Sequence, residues 1–188
     1  MRERFQLWQA DAFLEDLVFV DECGVHVAMT PTHAWAPKGQ RAVDSVPRNR
    51  GRVRTVLGAM DSQGMWALYT IDAPTTTEVF IDFLVTAVLP NLPRGKTLVL
   101  DNLAAHRSKA VRALCKESGL YLKYLPPYSP EFNPIEHAWA WFKHQLRKRK
   151  PRTREALDDL LEELFHALPP EHATAWARHD GYVVAQPI

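Results

Sequence analysis

The 188-residue chain is 46% hydrophobic with a formal net charge of +1, which suits a single domain with a substantial core and excludes indiscriminate nucleic-acid binding driven by net charge. No apolar run approaches the roughly 20 residues that span a bilayer, and no signal-peptide core follows Met1, so a cytoplasmic protein without membrane partners is expected. Cys23 and Cys115 lie far apart without CxxC spacing and read as buried small hydrophobes, not as zinc ligands or a disulfide.

In chain order, residues 1–15 form a lead-in with Phe5, Leu7, Trp8, Phe13 and Leu14 available to dock on a core. The apolar run Leu17-Val18-Phe19-Val20, ended by Asp21, predicts a first strand over 17–23 that is buried on both faces. Residues 26–51 make a long excursion, and such connections inside a compact domain are functional or disordered. The segments 52–60 and 65–71 read as a hairpin around Asp61-Ser62-Gln63-Gly64, which makes Asp61 a turn residue. A helix opens at 75–78, carries Phe80, Phe83, Leu84 and Ala87 at helical spacing and stops at Pro90. Leu98-Val99-Leu100 predicts a fourth strand over 97–101 that ends on Asp101. A helix over 108–117, stopped by Gly119, and a fifth strand over 120–125 follow.

The next helix is the most legible element. Asn133 stands where an N-cap belongs, Pro134 at the first helical position and Glu136 at the third, a pattern that reads as a capping box. Ile135, Trp139, Phe142 and Leu146 form its apolar stripe, while Glu136, Ala140, Lys143 and Arg147 share an adjacent face. The order β-β-β-α-β-α-β-α predicts an α/β protein with a mixed five-stranded sheet flanked by helices: three antiparallel strands, then two parallel strands added through helices. One domain is expected over 16–168, with the insertion at about 26–51 and a C-terminal tail at 169–188.

Three carboxylates stand out. Asp21 and Asp101 each end an apolar strand, where ligands sit in α/β sheets, and Glu136 opens a helix. Hard divalent cations prefer oxygen ligands, and two of them about 4 Å apart can stabilise the attacking and leaving oxygens of a phosphodiester. Singly, each acid has a structural alternative as a strand-end or capping group; Glu22, on the opposite strand face from Asp21, is the weaker ligand candidate. The remaining histidines fit no HExxH or Cys/His pattern, and no zinc site is expected. Basic residues segregate into two clusters. Lys38, Arg41, Arg48, Arg50, Arg52 and Arg54 form one, with Asp44 among them; Lys143, Arg147, Lys148, Arg149, Lys150, Arg152 and Arg154 form the other, followed directly by the acids Glu155, Asp158, Asp159, Glu162 and Glu163. A solvated helix end is one reading of the second cluster, and a DNA-backbone contact is the other.

Val20-Asp21-Glu22, Asp101-Asn102-Leu103-Ala104-Ala105-His106 and the long block from Leu125 through Pro126-Pro127-Tyr128-Ser129-Pro130 and Asn133-Pro134-Ile135-Glu136 resemble the catalytic blocks of IS630-type transposases, in the Tc1/mariner superfamily of DDE recombinases. The 34 residues between Asp101 and Glu136 (102–135) match the family spacing. The resemblance implies an RNase H-like fold with Asp21, Asp101 and Glu136 as catalytic and metal-binding triad for two Mg²⁺ or Mn²⁺ ions, and Asn102 and His106 in support. His106 is a candidate to orient a phosphate or a metal-bound water, with a purely structural place as the alternative. It further implies strand cleavage at transposon ends, transfer of the 3′-hydroxyl into target DNA at a TA dinucleotide, and a homodimer in the DNA complex. Contacts to DNA are then expected from Lys38, Arg41, Arg50, Arg52, Lys143, Arg147, Lys148 and Lys150, in a protein that is nucleoid-associated when it acts. Relatives of this kind carry helix-turn-helix domains before the catalytic domain, and about 20 residues precede Asp21 here, so either a separately encoded helix-turn-helix part, joined by frameshifting, or a remnant of a once longer transposase is expected. The alternatives are another RNase H-like nuclease and a domesticated, non-catalytic DNA-binding remnant.

Overall fold

In the computed structural model, which describes residues 1–183, a five-stranded sheet of order β3-β2-β1-β4-β5 forms the centre. Its strands are β1 (Leu17–Val25), β2 (Arg54–Asp61), β3 (Gly64–Ile71), β4 (Thr97–Leu100) and β5 (Tyr121–Tyr124). β1, β2 and β3 run antiparallel, and β4 and β5 are added parallel to β1. This is the expected mixed sheet. The β2–β3 turn closes as the sequence predicts: Asp61 Oδ1 accepts from the Gln63 N–H at 2.8 Å, and Gly64 sits at φ 127°.

Helices cover both faces. α1 (Arg2–Asp11), α4 (Ile135–Arg149), α5 (Arg154–Ala167) and α6 (Glu171–His179) share one apolar core with Leu17, Phe19 and Cys23 of β1. α2 (Thr77–Phe83) and α3 (Lys109–Glu117) cover the face presented by Val18, Val20, Leu98 and Leu100. Thr76, Ser108 and Thr153 cap the helices that follow them by accepting from the N–H groups of Val79, Val111 and Ala156, which is why α2, α3 and α5 start where they do.

Several expectations change in detail. After Phe83, α2 widens into a π-helical stretch, Leu84–Val88, and then a 3₁₀ turn, Leu89–Asn91. Pro90 cannot donate to the helical ladder, and the Thr86 hydroxyl donates to the Asp82 carbonyl at 2.7 Å. In the lead-in, Phe5 and Leu14 are buried, whereas Leu7 and Phe13 face solvent. Within the stretch read as a C-terminal tail, α6 buries Ala173 and Ala177 against the sheet and α4, and the Tyr182 hydroxyl donates to the Phe132 carbonyl at 2.7 Å. Residues 184–188 lie outside the described residues. Among the described residues, no helix is long and apolar enough to cross a membrane.

Candidate active site

The parallel pairing of β1 with β4 matches Leu17 to Thr97 and Phe19 to Val99. Asp21 lies two residues beyond Phe19 on β1 and Asp101 directly follows β4, so both acids stand at the same edge of the sheet. Glu136 reaches the same place from the first turn of α4. All three carboxylates, with Asn102, Leu103 and the turn Leu125–Pro130, line one cavity of about 450 Å³.

Each acid is held differently. Asp21 is 6% exposed, and its Oδ2 accepts from the Trp139 indole N–H at 3.2 Å. Burial, followed by the charges of Glu136, Glu22 and Asp101, pushes its pKa well above the usual carboxylate range. For Asp101, burial acts upward, but hydrogen bonds from His106 Nδ1 at 2.6 Å and the Leu103 N–H at 2.8 Å outweigh it and lower the pKa. Both bonds fall on Oδ1. Burial raises Glu136, Lys143 opposes that, and Asp101 adds to it.

The capping box does not form. A 3₁₀ turn over Pro130–Phe132 immediately precedes the helix, and the Glu136 N–H donates to the Asn133 carbonyl at 2.9 Å, so backbone groups already serve the helix start. α4 has no side-chain cap; Asn133 is buried with Oδ1 unpaired, and the Glu136 carboxylate is left to the cavity.

His106 and Asn102 take defined positions. His106 is fully buried against the Phe80 ring, with Asp101 at Nδ1 and Glu22 Oε2 3.3 Å from Nε2, close enough for an ion pair although not aligned as a hydrogen bond. Burial disfavours its charged form, yet the Asp101 hydrogen bond and the Glu22 carboxylate outweigh this and lift its pKa to about 9. Glu22 thus lies on the opposite strand face from Asp21, as alternation requires, and serves His106. The Asn102 side chain donates to the Leu125 carbonyl at 2.6 Å and ties the loop after β4 to the end of β5.

Trp139 is the site residue that sequence reasoning assigned wholly to the core. Its ring is core, but its N–H is the donor to Asp21; a Trp one helical turn after Glu136 is the signal that could have revealed it.

Among the basic residues, Lys38, Arg41, Arg50 and Arg52 lie exposed on the excursion, which has no helix or strand. Lys143 and Arg147 are half-buried on α4, the former close enough to act on Glu136, and Lys148 is exposed. The excursion and the end of α4 meet: Arg50 and Arg147 both depress the pKa of His26 after its burial, Arg152 donates to the carbonyls of Val27 and Met29, and Lys150 pairs with Asp44. Arg54 is engaged by Asp72 and Asp158, and Arg149 by Glu163.

Residues 16–158 match the family described as DDE superfamily endonuclease. The chain is 32% identical over 139 residues to the transposable element Tc1 transposase of Caenorhabditis elegans, covering 72% of this chain and 50% of that protein. It is 26% identical over 163 residues to the Tcb2 transposase of Caenorhabditis briggsae, covering 81% and 59%. The chain thus spans little more than half the length of these relatives. Among solved structures, a pre-cleavage Mos1 transpososome superposes with a TM-score of 0.76 at 17% identity, over 97% of this chain and 60% of that one. The Mos1 mariner paired-end complex with Mn also gives 0.76, at 20% identity over 94% and 54%. The Mos1 catalytic domain with raltegravir and Mg gives 0.68 at 17% identity over 97% and 90%, and the shared fold is RNase H-like. Sequence family and fold agree: the chain belongs to the DDE superfamily endonucleases, as a catalytic domain of Tc1/mariner type.

Proposed function

We propose that this chain carries out metal-dependent DNA strand cleavage at transposon ends and joins the freed 3′-hydroxyl to target DNA, with Asp21, Asp101 and Glu136 as its catalytic acids. The observation that carries the reading is the convergence of these three carboxylates on one cavity, where Asp21 is buried beside other acids. Such a set of hard oxygen donors, short of positive charge, fits Mg²⁺ or Mn²⁺. Asp21, Asp101 and Glu136 would hold a pair of these ions, which would supply the charge neutralisation that the attacking and leaving oxygens of a phosphodiester need.

The chain's own groups prepare the site. Trp139 fixes the rotamer of Asp21, and His106 with the Leu103 N–H fixes that of Asp101. Glu136, released from capping, aims its carboxylate into the same cavity. Pro126, Pro127, Tyr128 and Pro130 line the same cavity, a stiff border for a substrate strand. The exposed basic residues of the excursion and of the end of α4 supply phosphate contacts, which position DNA without reading its sequence. TA target choice belongs to the same proposal, as does the pairing of two copies on DNA, which the paired-end complexes of Mos1 support.

The test is nicking of a DNA duplex in Mg²⁺ or Mn²⁺. Asp21→Asn, Asp101→Asn and Glu136→Gln should each fall to background, while Glu136→Gln melts within a few degrees of the parent because it has no capping bond to remove. Near-parental cutting by Glu136→Gln with both aspartate variants dead would remove Glu136 from the triad. Glu22 and Glu131 would then be the next acids to examine, although Glu22 serves His106 and Glu131 pairs with Arg2 at 3.1 Å.

A further inference from the structure

On the α6 side of α4, beyond the catalytic cavity, His137, His179 and Asp180 come together. One potential ligand atom from each lies within 4.8 Å of the others. His137 follows Glu136 directly but turns away from the cavity, and its Nε2 is 2.8 Å from Asp180 Oδ1. The His137 and His179 rings meet edge to face at 5.4 Å between centroids. The Asp180 side chain is only 3% exposed, and its second oxygen, Oδ2, is buried without a hydrogen-bond partner. A buried carboxylate oxygen left unpaired is costly, and a cation held with the two neighbouring imidazoles would satisfy it.

We propose that His137, His179 and Asp180 form a transition-metal site that takes Zn²⁺. Two imidazole nitrogens and one carboxylate oxygen are a borderline donor set, suited to zinc and poor for Mg²⁺, which prefers oxygen alone. A tetrahedral zinc with bonds of about 2.0–2.1 Å spaces its ligand atoms about 3.3 Å apart, so small side-chain rotations bring the three into place. His179 is exposed, which leaves the fourth position open to solvent. Outer contacts brace the ligands: the Trp176 ring stacks on His137, and the Asp180 carbonyl accepts from the Gln9 side chain at 2.8 Å. Zinc held there crosslinks α6 to the first turn of α4, one residue from Glu136.

The experiment uses the full chain, stripped by a chelator and dialysed, and does not depend on DNA or cleavage. Zn²⁺ is titrated in competition with a chromogenic chelator, and Co²⁺ is titrated alone while its visible absorption is followed. The expected result is one ion per chain with the strong visible bands of four-coordinate Co²⁺, retained in an Asp21→Asn/Asp101→Asn double variant. His179→Ala, at an exposed position, and Asp180→Asn, which keeps a hydrogen-bonding group for His137, should each weaken Zn²⁺ binding by about tenfold or more. No stoichiometric binding by the parent would overturn the proposal and leave His137–Asp180 as a plain hydrogen bond between helices. So would binding that survives both His179→Ala and Asp180→Asn, or that disappears with the two aspartates of the catalytic cavity.

Discussion

Asp21 meets opposed demands, since a carboxylate useful to a cation is costly to keep buried among other acids before the cation arrives. The Trp139 N–H bonds to its side chain and the Glu22 backbone N–H favours its charged form, but burial and then Glu136, Glu22 and Asp101 outweigh this and raise its pKa. A raised folded-state pKa means that the folded protein holds its proton after the unfolded chain, near 3.8, has released it. Stability is therefore unaffected by Asp21 at pH values below that range and declines as pH climbs from there through the folded pKa. At neutral pH the metal-free parent carries this penalty. Asp21→Asn removes it and keeps an oxygen to accept from Trp139, so thermal unfolding without divalent ions should show Asp21→Asn melting a few degrees above the parent at pH 7, with the gap closing in acid. Added Mg²⁺ should raise the melting temperature of the parent more than that of the variant, because a ligand stabilises only the state that binds it. A variant that melts below the parent at neutral pH would show that the buried charge is already compensated.

Strand alternation sorts the acids before any tertiary contact does: Asp21 shares a face with Phe19 and meets α4, while Glu22 shares a face with Val20 and meets His106. The packing of α4 on the sheet depends on one residue of β2. Gly58 pairs with Asp21 across the strands, and a Cβ built there would lie 2.6 Å from Cη2 of Trp139. Gly58→Ala should therefore push the indole off Asp21, at an overpacking cost of about 1–3 kcal/mol. Denaturant unfolding, with DNA nicking in parallel, checks this; a variant as stable and active as the parent would mean that the indole can shift freely. Strand ends and the block before α4 were legible because apolar runs, prolines and spacing are local signals. The Trp139 bond joins residues 118 apart in sequence, and only the bare backbone at Gly58 permits it, so no local pattern announces it. The capping box was legible but superseded by the 3₁₀ turn in front of it. α6 left little trace because its inward residues, Ala173 and Ala177, are small: they allow close packing while adding little apolar signal.

At the scale of the whole molecule, a net charge of +1 hides an arrangement in which basic residues distant in sequence meet at the C-terminal end of α4. Arg50 and Arg147 approach His26 together, and the Asp44–Lys150 pair and the Arg152 bonds to Val27 and Met29 tether the start and middle of the excursion to the end of α4. The acids of α5 then consume part of that charge, as in the Arg149–Glu163 pair, so the proposed DNA binding would rest on the residues left exposed, among them Lys38, Arg41, Arg52 and Lys148. Side chains of this kind reach phosphates and carry no base information. The isolated chain should accordingly bind inverted-repeat and scrambled duplexes with equal affinity, and log affinity should fall linearly with log salt concentration. Replacing Lys38 and Arg41 with alanine should lower the magnitude of that slope by about one for each phosphate that is no longer neutralised, equally on both duplexes. Lys150→Ala should have a different effect, since that cation already pairs with Asp44: its removal frees an acid as well as the excursion, and affinity should change less than for an exposed lysine such as Lys148. Fluorescence anisotropy over a salt series measures all of these. A clear preference of the parent for the inverted repeat, persisting at high salt, would place sequence recognition in this domain and overturn the reading of its basic residues as phosphate-binding groups alone.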